Sequence, residues 1–118
     1  MTPCELLICA EDAMVNSYSP YSGFSVGAAL ITADGRVYKG CNIENSAFSP
    51  TICAERTAFF KAISEGENDF EAIAIVGKYK NGEYKHLCYP CGVCRQVMKE
   101  FCGGDFKIIL GDGKGEYE

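Results

Sequence analysis

The chain begins with a hydrophobic pattern typical of an amphipathic helix. In residues 3 to about 17, apolar side chains recur three or four positions apart, as one face of a helix requires; they are Leu6, Leu7, Ala10, Ala13 and Met14. Residues 19–23 are rich in Ser, Pro and Gly, which favour turns. We therefore expect the first helix to end before this segment.

The next segment predicts a β-hairpin. Residues 26–32 form a continuous apolar run typical of a buried strand, and residues 36–44 resume an extended pattern. Asp34 and Gly35 stand between the two runs, and an Asp-Gly pair favours the tight turn of a hairpin. We expect two neighbouring antiparallel strands here.

A second helix and a third strand follow. The helix should begin between Ser49 and Cys53, because Ser49 can cap a helix and Pro50 suits its first position. It should end at Gly66. Residues 72–76 then predict a short buried strand.

The last part of the chain predicts a turn, a helix and a strand. Asn81-Gly82 marks the turn, the helix covers residues 91 to about 101, and residues 106–110 form the strand. The apolar side of this helix would carry Val93, Val97, Met98 and Phe101. The complete order of elements predicts an α/β fold in which helices cover both faces of one sheet.

Length and charge narrow both the fold and the function. A chain of 118 residues with 47% hydrophobic content can bury one core and is short for two, so we expect a single domain, residues 1–118. The net charge is −5 and the Lys and Arg residues are scattered, which disfavours a nucleic-acid partner and favours a small neutral substrate. The N-terminal apolar run is short and interrupted by acidic residues, so we expect no leader, no membrane span and a cytoplasmic location.

Cysteine spacing provides the first chemical signal. Cys91 and Cys94 stand three apart at a predicted helix start, where both sulfurs can converge on one ion. Taken alone, such a pair is equally typical of a redox dithiol or of half a structural zinc site. Cys4, Cys9, Cys41 and Cys102 are simpler to interpret as small buried hydrophobic residues, and the single histidine, His86, as an ordinary strand or loop residue.

An upstream segment favours a catalytic zinc site. Cys53 precedes Glu55 by two positions, and together with the later Cys pair it matches the zinc-deaminase signature in the form whose first ligand is Cys. Three protein ligands leave one zinc position for water, whereas a structural site uses four. Cys88 is the candidate fourth ligand, but a four-Cys site would leave Glu55 without a role.

Two charged residues beside the predicted ligands have expected roles. Glu55 should exchange protons with water and substrate, which requires Cys53 to lie at the irregular start of its helix rather than within it. Arg56 is expected to donate a hydrogen bond to a thiolate, although an exposed helix charge is the plainer alternative.

Asn42 and Glu44 are two apart in an extended segment, so both side chains should face the same way.

Four motifs in register make the chain resemble the small homotetrameric cytidine deaminase family over nearly its whole length. The motifs occupy residues 18–29, 40–45, 51–58 and 90–96. The resemblance implies a three-layer α/β/α fold around a mixed sheet, one Zn²⁺ per subunit, a nucleoside substrate and a homotetramer with active sites at subunit boundaries. It implies deamination of cytidine and deoxycytidine within pyrimidine salvage.

The resemblance also implies residue roles. Zinc would be held by Cys53, Cys91 and Cys94, with Glu55 as the proton shuttle. Asn42 and Glu44 would contact the ribose 3′-hydroxyl, Phe24 would lie against the pyrimidine, and Ala54 would join the substrate-binding residues.

Three alternatives stay open at this point. A deaminase of a related aminopyrimidine nucleoside such as blasticidin S would share the three-Cys and Glu arrangement. A non-catalytic zinc module would use Cys88 as a fourth ligand. A redox dithiol protein would have thiol-dependent reductase activity that survives loss of Glu55.

Overall fold

The computed structural model describes residues 2–47, 50–85 and 90–111. Within them, three helices and five strands follow one another, and a short 3₁₀ turn, Met14–Asn16, extends the first helix. The elements are α1 (Pro3–Ala13), β1 (Phe24–Thr32), β2 (Val37–Cys41), α2 (Ala54–Ser64), β3 (Phe70–Tyr79), β4 (Tyr84–Lys85), α3 (Gly92–Phe101) and β5 (Lys107–Leu110). None of the helices among these residues is long and apolar enough to cross a membrane.

The five strands form one mixed sheet. β1 lies between β2 and β3, and both of these pairings are antiparallel. The other side of β3 pairs antiparallel with β4 at Gly77 and Lys78, and parallel with β5 from Ala72 to Ile75. The predicted hairpin and the mixed sheet are confirmed, whereas β4 is too short to give a periodic sequence signal.

Helices cover both faces of the sheet, as predicted. On one face, α1 buries Leu6 and Ala10 against alternate strand residues such as Ala29 and Ala74. On the other, α2 and α3 share a core with Ala28, Leu30, Ile73 and Ile75, joined by Ala58, Phe59 and Met98. Because β1 and β3 are covered on both sides, their side chains are apolar at successive positions rather than at every second one.

The start of α2 differs from the prediction. The helix begins at Ala54, with Cys53 as its N-cap in an extended conformation, and Pro50 lies in a turn before it. The reason is tertiary: Ile52 exchanges two backbone hydrogen bonds with Ile43, at 2.9 and 3.0 Å, which keep the chain extended up to the cap. Ser49, the predicted cap, lies outside the described residues.

The buried face of α3 also differs in part. Met98 is buried and Val97 is half-buried, but Val93 is 56% exposed and Phe101 is 38% exposed. The core side of α3 instead contains Cys94 together with Met98. The prediction placed Cys94 with the metal site and so did not include it among the residues that orient the helix.

Two glycines permit close packing of helices on the sheet. A Cβ at Gly40 would stand 2.5 Å from the Ala58 backbone nitrogen, and one at Gly27 would stand 1.9 Å from the Ala10 carbonyl oxygen. Because any side chain would collide with helix backbone there, Gly40 sets how closely α2 approaches β2.

Candidate active site

Three cysteine sulfurs converge where α2 and α3 begin. The Sγ atoms of Cys53 and Cys91 are 3.5 Å apart and those of Cys91 and Cys94 are 3.3 Å apart, and all three lie within 4.8 Å of one another. Sulfur ligands ~2.3 Å from a tetrahedral zinc ion lie roughly 3.8 Å from each other. The cluster therefore fits zinc in both donor type and spacing.

Helix caps hold these sulfurs in place. Cys53 and Cys91 are the N-cap residues of α2 and α3, each with extended backbone, and Cys94 lies in the first turn of α3. The Cys94 backbone N–H donates to the Cys91 Sγ at 3.4 Å. Both helix N-termini therefore present their partial positive charge to the thiolates. The prediction that Cys53 lies at an irregular helix start is confirmed.

Hydrogen bonds divide the thiols into donors and acceptors. Bonds from Cys94, Arg56 and Cys91, opposed by burial, lower the pKa of Cys53 to about 5. The pKa of the Cys94 thiol is raised. The causes are its hydrogen bond to Cys53, its burial and the nearby charge of Glu55. One thiolate is thus stabilised locally, and a divalent cation would supply the charge that favours the others.

Arg56 contacts the cluster as the sequence interpretation expected. Its Nη2 donates to the Cys53 Sγ at 3.5 Å, and this bond contributes to a raised pKa of the guanidinium. Its Nε is buried and has no hydrogen-bond partner within the described parts of the chain. The side chain is therefore directed at the thiolate rather than at solvent.

Glu55 is a buried carboxylate beside the sulfurs. Only 4% of the residue is exposed, and burial raises the pKa of its carboxyl, with the charge of Cys53 acting in the same direction. A carboxyl group whose proton is bound more tightly than usual is suited to accept and return protons near neutral pH.

A cavity of about 270 Å³ connects the cluster to the remaining predicted site residues. It is lined by Ser22, Phe24, Val26, Asn42, Glu44, Thr51, Ile52, Cys53, Ala54, Glu55 and Cys91. Every predicted catalytic or substrate-binding residue lies on it, while Cys94 and Arg56 are not among its lining residues. A larger groove of about 610 Å³ beside α1 contains none of the predicted site residues.

Asn42 is fixed by backbone groups of β1. Its Oδ1 accepts from the Val26 N–H at 3.0 Å and from the Ser17 hydroxyl, and its Nδ2 donates to the Phe24 carbonyl at 2.8 Å. The amide therefore ties the segment after β2 to the start of β1. Only one of its N–H groups is left for another partner among the described residues.

Glu44 is held by the turn before β1. Its Oε1 accepts from the backbone N–H groups of Tyr21 and Ser22 at 3.0 and 3.1 Å, and its Oε2 accepts from the Ser22 hydroxyl. Partial burial acts to raise the pKa of Glu44, but the bonds from Ser22 and Tyr21 outweigh it and the pKa lies below its ordinary value.

Sequence reasoning did not single out Ser17, Ser22, Thr51 or Ile52. Ser22 lies in a motif segment, but nothing local identifies Glu44 as its partner. The other cysteines also need one correction: Cys41 is buried and Cys9 and Cys102 are half-buried, whereas Cys4 is exposed at the start of α1. Cys88 and His86 lie outside the described residues.

A sheet between helices, with three cysteine sulfurs and a buried carboxylate at two helix N-termini, defines a zinc-binding deaminase domain. Residues 2–110 match the family described as the cytidine and deoxycytidylate deaminase zinc-binding region, and the chain belongs to this family.

Known relatives agree with this family. A cytidine deaminase from Sporosarcina psychrophila is 49% identical over 97% of this chain and 80% of its own. One from Halalkalibacterium halodurans is 50% identical over 92% and 79%. The crystal structure of a cytidine deaminase from Burkholderia pseudomallei superposes with a TM-score of 0.88 at 42% identity, covering 100% of this chain and 91% of the other.

A more distant relative bears on substrate choice. A blasticidin-S deaminase from Bacillus cereus is 33% identical over 75% of this chain and 66% of its own. The relatives of this chain therefore include deaminases named for two different substrates.

Proposed function

We propose that the chain is a zinc-dependent enzyme that hydrolyses the exocyclic amine of cytidine and deoxycytidine, releasing uridine or deoxyuridine and ammonia. The observation that carries this proposal is the buried Glu55 beside the Cys53, Cys91 and Cys94 sulfurs, on a cavity that Asn42 and Glu44 also line. The cavity thus combines a proton-transfer group with polar side chains suited to a neutral sugar.

Glu55 performs the proton transfers of this reaction. Its carboxylate accepts a proton from the attacking water, whose oxygen adds to C4 of the pyrimidine, and a proton is delivered to ring N3. The C4–N bond then breaks: Glu55 takes the proton of the new C4 hydroxyl and passes it to the amine, which leaves as ammonia while the C4 carbonyl of the product forms. When bound, zinc supplies Lewis-acid chemistry that makes water a better nucleophile at neutral pH.

The other cavity residues hold the substrate. Phe24 packs against Tyr79, with ring centroids 4.9 Å apart, and is positioned on the cavity to cover one side of the pyrimidine. Ala54 has no polar side-chain atom and leaves its backbone at the start of α2 available to the base. Asn42 and Glu44 contact a sugar hydroxyl. Arg56 offsets part of the negative charge of the thiolates.

The proposed assembly is a homotetramer with active sites at subunit boundaries. Several large apolar side chains on α2, α3 and β5 are exposed in the isolated chain and would supply subunit contacts; they are Phe60, Val93, Phe101 and Ile108. We further propose a cytoplasmic location and a role in pyrimidine salvage. Sedimentation velocity of the zinc-loaded protein tests the assembly, and a monomer would contradict it.

The decisive experiment is to incubate purified, zinc-loaded protein with cytidine and to measure uridine and ammonia. We expect equal amounts of both products, and loss of turnover after zinc is removed by a chelator. Parallel reactions contain deoxycytidine, deoxycytidine monophosphate and blasticidin S. Turnover of cytidine and deoxycytidine with little of the other two supports the proposal.

Three other outcomes would replace it. Preferred turnover of blasticidin S would assign the chain to the second substrate, which the Bacillus cereus relative is named for. A folded, zinc-loaded protein inactive on all four compounds, with four sulfur ligands by X-ray absorption, would indicate a structural site that recruits Cys88. Thiol-dependent reductase activity that survives Glu55→Gln would indicate a redox dithiol.

A further inference from the structure

Ser22 forms hydrogen bonds with two residues that are predicted to bind the substrate, Glu44 and Phe24. Its hydroxyl donates to the Glu44 Oε2 and accepts from the Phe24 backbone N–H at 3.1 Å. Its own backbone N–H donates to the Glu44 Oε1 at 3.1 Å. A single residue on the cavity wall therefore contacts both the residue predicted to hold the sugar and the residue predicted to face the base.

The turn that carries Ser22 is itself well defined. The Gly23 N–H donates to the Ser19 carbonyl at 3.0 Å, and Gly23 has φ +69°, a conformation that side chains disfavour. This geometry points the N–H groups of Tyr21 and Ser22 at one oxygen of Glu44. Successive backbone N–H groups in such a turn form an anion-binding concavity.

A count of hydrogen-bonding positions shows what the site leaves for substrate. A carboxylate offers about four acceptor positions, and the described residues fill three of those on Glu44, leaving one on Oε2. Asn42 has both acceptor positions of Oδ1 filled and one Nδ2 hydrogen left within the same residues. One acceptor and one donor together match a single hydroxyl group, which both donates and accepts.

We infer that Ser22 is a positioning residue for sugar recognition: it holds the Glu44 carboxylate so that one oxygen is available to one substrate hydroxyl, and it couples that carboxylate to the backbone of Phe24. This inference rests on the proposed nucleoside substrate. Without the Ser22 hydroxyl, Glu44 Oε2 loses the hydrogen bond that holds it within the described residues, and the carboxylate can rotate or bind water. Affinity for the hydroxyl-bearing substrate then falls, while proton transfer at Glu55 is unchanged.

The test compares two substrates that differ in one hydroxyl. Cytidine and 3′-deoxycytidine are assayed with wild-type protein, Ser22→Ala, Ser22→Thr and the distant control Ser64→Ala, whose hydroxyl bonds only to the Lys61 carbonyl among the described residues. Binding of uridine and 3′-deoxyuridine is measured by calorimetry on the same proteins, so that affinity is known apart from turnover. Zinc content is determined for each.

We expect Ser22→Ala to raise the KM for cytidine, and the Kd for uridine, by roughly tenfold, as loss of a charge-assisted hydrogen bond predicts. Its kcat, its zinc content and its behaviour with the 3′-deoxy compounds should stay near wild type. Ser22→Thr keeps a hydroxyl and should restore most of the discrimination. Ser64→Ala should match wild type throughout.

Several results would overturn the inference. If Ser22→Ala weakens both members of each pair equally, or lowers kcat alone, the hydroxyl supports the turn rather than sugar recognition. If wild-type protein deaminates cytidine but does not discriminate against the 3′-deoxy compound, the inference fails while the proposed function stands. If wild-type protein neither binds nor deaminates any of these nucleosides, the proposed function fails, and the inference fails with it.

Discussion

Two groups of residues line the cavity: Asn42 and Glu44 form one, called the Asn42 end, and Cys53 and Cys91 of the sulfur cluster form the other, called the thiolate end. The side chains of the two groups are held in place in different ways. At the Asn42 and Glu44 end, nearly every polar position already has a partner in the backbone of residues 21–26 or in a serine hydroxyl. At the thiolate end, three sulfurs converge near one guanidinium and two helix N-termini. Hydrogen bonds between the thiols hold the sulfurs together without a cation. Within the described residues, protein groups fill nearly all hydrogen-bonding positions of Asn42 and Glu44, whereas the sulfur cluster requires a metal ion.

This difference indicates how each end should respond to change. Loss of a group at the thiolate end should act on metal binding and chemistry, because the hydrogen bonds of those sulfurs run mainly among the cluster itself and to Arg56. Loss of a group at the Asn42 end should act on folding and affinity, because each bond there joins segments far apart in the chain.

Removal of a sulfur ligand should have the largest effect. Cys94→Ala leaves two thiolates, and we expect stoichiometric zinc binding and measurable turnover to be lost. Cys102→Ala is the matched control, since it alters a half-buried cysteine on the same side of the sheet that is outside the sulfur cluster. Elemental analysis and the cytidine assay provide the measurements. Unchanged zinc affinity in Cys94→Ala would show that the cluster is not the metal site.

Neutralising the buried carboxylate should be nearly as severe for turnover. In Glu55→Gln, we expect kcat to fall by about 10²–10⁴-fold, because proton transfer to and from substrate is removed. Zinc content and the thermal midpoint should remain close to wild type, as should all three properties in the exposed control Glu65→Gln. Loss of zinc from Glu55→Gln would instead mean that Glu55 supports metal binding rather than proton transfer.

Truncation of Asn42 tests the other end. Asn42→Ala removes the hydrogen bonds that the amide makes with the Val26 N–H and the Phe24 carbonyl, and we expect the free energy of unfolding to fall by about 1–3 kcal/mol. Zinc affinity should not change. Urea unfolding of zinc-loaded protein measures the effect, with the exposed Asn16→Ala as control. A variant as stable as the control would remove the proposed contrast between the two ends.

The guanidinium beside the cluster should have the smallest effect. Arg56→Gln removes the hydrogen bond to Cys53, and we expect zinc affinity to fall by roughly 10–100-fold while stoichiometry is retained at high zinc. Competition with a chromophoric chelator measures the affinity, and the exposed Arg36→Gln is the control. Equal affinities for the two variants would show that Arg56 does not support the ligands.

The chemistry-bearing residues could be predicted from the sequence because their relations are mostly local. Cys91 and Cys94 are one helical turn apart and Cys53 stands two residues before Glu55, so the two short segments together match the zinc-deaminase signature, which predicts a metal site with a neighbouring carboxylate. The two strands at the centre of the sheet, β1 and β3, were predicted for the same reason, since residues 26–32 and 72–76 are apolar over short continuous runs. Helices on both faces follow from the order of those elements.

Only the tertiary structure decided where α2 begins, which side of α3 is buried and what holds Asn42 and Glu44. The bridge between Ile43 and Ile52 delays the start of α2, and packing of Cys94 into the core orients α3. Ser17 and Asn42, like Ser22 and Glu44, are separated by more than twenty residues, so no local pattern could pair them. Short-range periodicity and spacing can be read from the sequence, whereas hydrogen bonds between distant segments form only once the sheet has brought those segments together.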